Sequence, residues 1–487
     1  MFLHQIFQKA DPQRMAFVGK QNMTYGQLTA LVRMYRNDFY RRGIRRGDRV
    51  ALYSANSAEF IIVYMAVVSL GAVIIPVNNS LVDREVKFIL KDAGAKLLVT
   101  DKSMEVTVEQ VSIEEMKVEA EKGKAEEAPA FPSDLTEDDV CTFVYTSGTT
   151  GNPKGAMLSH KNLIRNAEQT NAVLKHTPED MALCVLPMFH CYGWTVSVLV
   201  PLLVGCTIVV MSSKNPTEIV NTIAKHQVTI AAMVPPMYHL LARFGKEDLM
   251  RSVRVFVSGG ASLPQTVAET FNEKYGHFVI IGYGLTEASP VVSMLPQDRP
   301  KSLSAGPALP GIEVKVVNGE GLDCKTGEVG ELLVRGDNVM KGYWHQEEET
   351  KKVLLSDGWL RTGDLAYLDK DEFVYIVDRI KDLIIVNGEN IYPGEVESCI
   401  YEFPGVSECA VVGHQDDLRG EAVWAYIVMK PDEELDENAI RRFMKERIAA
   451  YKVPRHFVVI DEMPKNSTGK ILKRALRQYT GLYLARN

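Results

Sequence analysis

From about Tyr25 to Ile280, helix-length amphipathic segments alternate with short apolar runs, and this rhythm constrains the fold more than any other feature of the chain. A strand buried on both faces reads as a continuous apolar run, and parallel neighbours must be joined by a long crossover, usually a helix. Val50-Ala51-Leu52-Tyr53, Lys96-Leu97-Leu98-Val99, Thr229-Ile230-Ala231-Ala232 and Arg254-Val255-Phe256-Val257 are such runs. The pattern therefore predicts βαβ units in largely parallel sheets covered on both faces. Two stretches, Phe60 to Val77 and Trp194 to Met211, approach membrane-spanning length. Each is broken by glycine, Gly71 or Gly205, and resumes as a β-branched run, Val73-Ile74-Ile75 or Thr207-Ile208-Val209-Val210. A helix that ends at glycine and feeds a buried strand accounts for both, and no transmembrane segment is expected.

Between Asp101 and Asp139 the chain turns polar and acidic, with Glu114-Glu115 and Glu126-Glu127, and reads as a solvated excursion without a function of its own. From about Ser304 to Tyr375 short alternating strands and Gly-containing turns predict a β-rich subdomain, as in Gly311 to Gly319. After Asp378 to Asp382 comes an α+β tail. Its strands are read at Leu383 to Val386, Ala410 to Val412 and Trp424 to Met429, its helices at Gly394 to Tyr401 and Glu437 to Ala449. At ~150 residues per domain there is room for roughly three domains. Lys+Arg 55 against Asp+Glu 62 leaves a net charge of −7, which argues against a generally basic nucleic-acid binder. The seven cysteines form no C-x-x-C pair and are expected as reduced thiols. With no targeting signal at either end, the expected location is cytoplasmic.

The stretch Tyr145-Thr146-Ser147-Gly148-Thr149-Thr150-Gly151-Asn152-Pro153-Lys154-Gly155 follows an apolar strand and concentrates hydroxyls, glycines and one cation. Glycines admit close backbone approach, N–H and hydroxyl groups donate, and a lysine offsets anionic charge, so the loop suits a polyphosphate. Its spacing is not that of a Walker A loop, because Pro153 precedes Lys154 and Gly155 follows it. Taken alone, it fits an ordinary flexible turn equally well.

Five further motifs follow in order. They are Gly282-Tyr283-Gly284-Leu285-Thr286-Glu287; Gly327 to Leu332 with Lys341-Gly342-Tyr343; Trp359 to Asp364; Asp378-Arg379-Ile380-Lys381-Asp382; and Pro464 to Lys470. With the loop, this series resembles the adenylate-forming superfamily, the AMP-forming acyl-CoA synthetases with their luciferase and peptide-synthetase relatives, and more particularly bacterial fatty acid-CoA ligases. The resemblance covers essentially the whole chain. The fold it implies is α/β: a large N-terminal domain, residues 1–380, of two parallel-sheet α/β subdomains plus a small β-barrel at about 304–375, then a mobile α+β C-terminal domain, 381–487.

The activity implied has two steps: a carboxylate attacks the ATP α-phosphate to give acyl-AMP and pyrophosphate, and the thiol of CoA then displaces AMP. By resemblance Thr146, Ser147, Gly148, Thr149, Thr150, Gly151 and Lys154 hold the β- and γ-phosphates, Glu287 holds Mg²⁺, and Thr286 lies beside the α-phosphate. Gly260 and Ala261 offer one face of an adenine slot and Tyr283 the other, Asp364 accepts the ribose hydroxyls, and Arg379 supplies a further ribose or phosphate contact. Lys470 is expected to join incoming carboxylate and α-phosphate. Lys381 aligns with the family's hinge, and Gly388, Glu389 and Asn390 with the loop that lines the thiol tunnel.

Pro187-Met188-Phe189-His190 resembles the acyl-CoA synthetase version of the acyl pocket, where the histidine gates the acyl and thiol passages. No aspartate stands there to pair a substrate ammonium, so an uncharged tail is expected, with Gly193, Trp194 and Val196 to Leu199 as an apolar wall. A medium- or long-chain fatty acid is preferred. Seventeen residues follow Lys470, which favours free CoA over a fused carrier domain. The implied co-substrates and cofactor are thus ATP, CoA and Mg²⁺. An acyl-AMP ligase loading a separate carrier protein, an aryl-CoA ligase and a nucleotide-binding sensor without turnover stay open as alternatives, as does a homo-oligomer.

Overall fold

The computed structural model describes residues 1–121, 130–132, 134–146, 153–213, 215–244, 247–416, 418–466 and 469–478. Within them the strands form four sheets. One runs Glu109–Ser112, Leu97–Thr100, Arg49–Tyr53, Val73–Pro76, Val140–Thr146 and Lys154–Ser159, parallel except for its last pair. A second runs Val291–Met294, Val279–Gly284, Val255–Ser258, Ile230–Met233, Met181–Cys184, Thr207–Val210, Met15–Val18 and Met23–Thr24, parallel inside and antiparallel at both edges. These are the two expected α/β units.

Local chemistry sets their boundaries. Ser57 caps the helix Ala58–Val68 by accepting the Phe60 N–H, and Ser159 caps His160–Leu174 by accepting that of Asn162. Gly205, left-handed at φ 78°, ends Val200–Val204 before the strand Thr207–Val210. Helix Ala58–Val68 is buried at every position but Glu59, as befits an element packed between sheets, and no helix of the described residues is long and apolar enough to cross a membrane.

Two expectations are corrected. The acidic stretch is not wholly a solvated excursion: Glu109–Ser112 extends the first sheet, and Val111 and Met116 enter the core. An alternation too short to read by eye supplies the apolar contacts. Nor does the β-rich segment close into a barrel. Ile312–Val317, Gly330–Gly336, Leu360–Leu368 and Val374–Arg379 make an open antiparallel sheet whose first and last strands, among the described residues, do not pair with each other. Four strands are too few to curl shut around filled side chains.

The fourth sheet joins Glu389–Ile391, Ile384–Val386, Gly420–Met429, Val406–Asp416 and His456–Val459 around its own core of Ile384, Val396, Val411, Ile427 and Met444. The amphipathic helix beside it ends at Lys445, short of the expected Ala449. Lys465, Lys473 and Arg477 of the basic tail are ion-paired with Glu408, Glu397 and Asp382, so these charges tie the tail to its domain.

Candidate active site

Parallel strands present all their carboxyl ends at one edge, where loops converge and ligands bind. From the second sheet this edge receives His190 after Met181–Cys184, Gly259 to Ala261 after Val255–Ser258, and Thr286 and Glu287 after Val279–Gly284. The loop after Val140–Thr146 belongs to the first sheet; Thr146 ends that strand and Lys154 begins the next, paired in register. Ser147, Gly148, Thr149, Thr150 and Gly151 lie outside the described residues.

His190 caps the short helix Cys191–Trp194: its Nδ1 accepts the Tyr192 N–H at 3.2 Å, so the neutral ring carries its proton on Nε2. Burial, and then the charge of Lys470, push the imidazole down to about 4. Behind it the Cys191 thiol sits 3.2 Å from Thr286 Oγ1. Burial raises this thiol to about 12, so it stays protonated as a partner for the hydroxyl.

Asp364 is 3% exposed, and both its oxygens are engaged: Tyr283 donates to Oδ2 at 2.6 Å, and Arg379 Nε lies 3.0 Å from Oδ1. The pairing of Asp364 with Arg379 across neighbouring strands fixes this geometry. Each carboxylate oxygen retains a second lone pair, so the arrangement keeps acceptor capacity for ribose. Gly260 and Ala261 are exposed in their loop, and Gly260 is left-handed at φ 80°.

Lys470 comes from the other domain. Asn466 shapes its turn by accepting the Lys470 N–H and donating its own N–H to the Lys470 carbonyl, each at 2.9 Å. Gly469, left-handed at φ 84°, approaches Pro236, where an added methyl would stand 3.4 Å from the ring. The ammonium keeps contact with solvent while protein closes around it. Burial first and Arg379 second lower it to about 8, with Asp364 opposing. The structure thus brings Lys470, His190, Asp364 and Arg379 into one electrostatic neighbourhood.

Lys381 also falls within electrostatic reach of Lys470, Arg379 and Asp364, whereas Lys154 and the Gly388 hairpin are set apart by their own surroundings. Lys154 is buried and ion-paired with Glu349, which also pairs with Lys352, so its charge is already answered by protein. Lys381 is exposed in the turn Ile380–Asp382, and Gly388, Glu389 and Asn390 lie exposed on a hairpin whose turn residues Asn387 and Gly388 are both left-handed, φ 51° and 83°.

Two recesses lie among the residues expected to form the acyl pocket. A recess is lined by Leu186, Pro187, His190, Tyr192, Gly193, Val234 and Gly260. The Tyr192 ring lies under Gly259, where a methyl would fall 3.1 Å away, and its hydroxyl donates to the Met233 and Val257 carbonyls at 3.3 and 3.2 Å. Trp194 stacks on Tyr64 at 4.0 Å, and both line a second apolar recess with Met188, Phe189 and Cys191, whereas Val196, Val198 and Leu199 are buried in the core. Cys191, Tyr343 and Glu349 were missed from the sequence as site residues. Tyr343 lay inside a quoted motif, whereas Glu349 reads only as part of an exposed acidic run.

The profile described as AMP-binding enzyme matches residues 5–344, and that of its C-terminal domain matches residues 395–470. The chain belongs to the AMP-binding enzyme family. The resemblance read from its motifs is thereby borne out, and this family member is an acid–thiol ligase. It is 35% identical to a feruloyl-CoA synthase of an Amycolatopsis species over 95% of each chain. It is 32% identical to a long-chain-fatty-acid–CoA ligase of Escherichia coli O157:H7 over 89% of this chain and 86% of that one. Among solved structures, ATP-bound MatB from Rhodopseudomonas palustris superposes with a TM-score of 0.93 at 32% identity, covering 99% of this chain and 100% of that one. The o-succinylbenzoate CoA synthetase of Bacillus subtilis with ATP and magnesium gives 0.87 at 33% identity, covering 98% of each.

Proposed function

We propose that this AMP-binding enzyme uses ATP to activate an uncharged, apolar-tailed carboxylic acid as acyl-AMP and then transfers the acyl group to CoA. The observation that supports the reading is that Lys470 falls within electrostatic reach of Arg379, Asp364 and His190, although more than a hundred residues separate it from Asp364 along the chain. Carboxylate and triphosphate repel, so fixed positive charge and positioning must lower the barrier. Lys470 supplies that charge where acid and α-phosphate meet, Thr286 donates to the α-phosphate, and Asp364 with Tyr283 and Arg379 holds the nucleoside.

Glu287 suits Mg²⁺. Among the described residues no cluster of three carboxylate, histidine or cysteine groups exists to hold a metal, so the ion would take its other ligands from phosphates and water, as Mg²⁺ does. Bound there, it would neutralise part of the triphosphate charge. Lys154 keeps its own pair with Glu349 and anchors the start of its strand. The residues 1–380 form the part that binds acid and ATP, and 381–487 the part that carries Lys470 and turns about Lys381 between steps.

Lys470 must be charged to act. Lowered to about 8, it holds its proton below that pH and loses it above. The value of kcat/KM for adenylation is therefore expected to fall about tenfold per pH unit above this point, since kcat/KM follows ionisation of the free enzyme. A flat pyrophosphate-release profile to pH 10 would refute this.

For the second step, Gly388 in the exposed hairpin turn gives the pantetheine chain close passage. Gly388→Val is expected to slow thioester formation from supplied acyl-AMP more than tenfold while leaving adenylation within about twofold, since a side chain narrows the path and strains a left-handed residue. Selective loss of adenylation would contradict the tunnel assignment.

A medium- or long-chain fatty acid is the preferred substrate, on likeness to bacterial fatty acid-CoA ligases and a recess free of charged groups. The floor made by Tyr192 favours a second reading, a flat aryl acid. Mass spectrometry of products from ATP, Mg²⁺ and a panel of fatty and aryl acids, with and without CoA, tests both. AMP with acyl-CoA establishes the ligase and its acid; acyl-AMP that ignores CoA indicates a carrier-protein acceptor; no AMP from any acid defeats the proposal.

A further inference from the structure

Residues Lys341 to Trp344 behave as an added strand on the first sheet. Lys341 and Trp344 donate their N–H groups to the carbonyls of Met157 and Gly155 at 2.9 and 2.8 Å, Met157 donates to Gly342 at 2.9 Å, and Tyr343 bridges Ala156. This short segment ties together three parts of the site. Its Tyr343 hydroxyl donates to Glu287 Oε1 at 2.8 Å, and the preceding Met340 N–H donates to the Glu287 carbonyl at 2.9 Å. The Tyr343 ring lies 5.3 Å from the Lys154 ammonium, and the Tyr343 N–H is held by Thr350 Oγ1 at 2.9 Å, on the same helix as Glu349.

We propose that Tyr343 is the positioning residue that aims the Glu287 carboxylate at the nucleotide-bound cation. The inference rests on the assignment of Glu287 to that cation. A carboxylate free to rotate would lean toward the nearest ammonium; one oxygen held by a phenol leaves the other pointing in a fixed direction. A phenol hydroxyl that faces a carboxylate oxygen can only donate to it, so the direction of this hydrogen bond is fixed. The tyrosine is 9% exposed and its backbone is locked by the sheet, which makes its hydroxyl a rigid support. Groups that orient a metal ligand in this way typically contribute about 10–100-fold to metal affinity.

Tyr343→Phe removes one oxygen and retains the ring over Lys154. Mn²⁺ serves as the probe: its binding to the enzyme with α,β-methylene-ATP is followed by electron paramagnetic resonance, beside the Mg²⁺ dependence of acid-dependent pyrophosphate release. The expected result is Mn²⁺ affinity and half-saturating Mg²⁺ both weakened about tenfold or more, with KM for the acid within about twofold. A purely structural role would instead move acid and metal constants together. Glu287→Gln separates the two assignments. If it abolishes the enzyme-bound Mn²⁺ signal while Tyr343→Phe leaves affinity unchanged, Tyr343 has no positioning role; if Glu287→Gln binds Mn²⁺ as the parent does, the cation assignment itself fails. A Tyr343→Phe protein that melts earlier yet binds Mn²⁺ with parental affinity likewise overturns the proposal.

Discussion

Lys470→Ala is expected to lower acyl-AMP formation about 100- to 1000-fold while leaving thioester formation from supplied acyl-AMP within about threefold, the magnitude typical of removing one aimed electrostatic group. The asymmetry follows from chemistry. In the first step negative charge gathers where acid and α-phosphate meet, and in the proposed mechanism Lys470 is the cation that answers it. In the second step a thiol replaces AMP, and a lysine between acyl phosphate and thiol would obstruct it. The turn around Asn466 is made by backbone and asparagine groups, so the substitution leaves its hydrogen bonds intact. Separate assays of pyrophosphate release and of acyl-CoA from synthetic acyl-AMP check it. Equal loss in both steps would remove Lys470 from the role assigned; equal retention would remove it from the site.

The fold was largely legible because its strongest signals are local. Apolar runs such as Val255-Phe256-Val257 have nowhere to go but a doubly covered sheet, and Gly205 marks a helix end by conformation alone. What escaped reading depends on which elements meet. Trp194 and Val198 carry the same apolar signal, yet Trp194 lines a recess beside Tyr64 while Val198 is buried in the core; only tertiary packing decides. Closure of the β-rich segment depends on edge pairing, which no strand announces in its own residues. Motifs single out Asp364, Arg379 and Lys470, which the fold brings within electrostatic reach of one another, but nothing in the sequence signals the Lys154 pairing: Glu349 sits in an acidic run far along the chain, and its reach to Lys154 is a product of tertiary packing.

Asp364→Ala is expected to have the widest consequences, because it removes the proposed ribose acceptor and unbalances the protein groups that aim it. Tyr283 would lose its acceptor at 2.6 Å and Arg379 its counter-charge at 3.0 Å. The guanidinium side chain is 40% exposed, so water compensates part of the loss, and the expected cost to stability is about 1–3 kcal/mol, below that of a fully buried pair. The effect on ATP is larger. Two hydroxyl bonds to an ionised acceptor are worth about 1.5–3 kcal/mol each, so kcat/KM for ATP should fall by at least about 100-fold. Stability and binding are separated by a cycle with 3′-deoxy-ATP. If Asp364 holds the ribose, the parent enzyme discriminates against the deoxy nucleotide by about tenfold or more, and Asp364→Ala accepts both nucleotides equally poorly, since the lost bond cannot be lost twice. Full discrimination retained by the variant would mean that another group reads the 3′-hydroxyl. Asp364 would then serve only to brace Tyr283 and Arg379, and the variant's loss of activity would track its loss of stability.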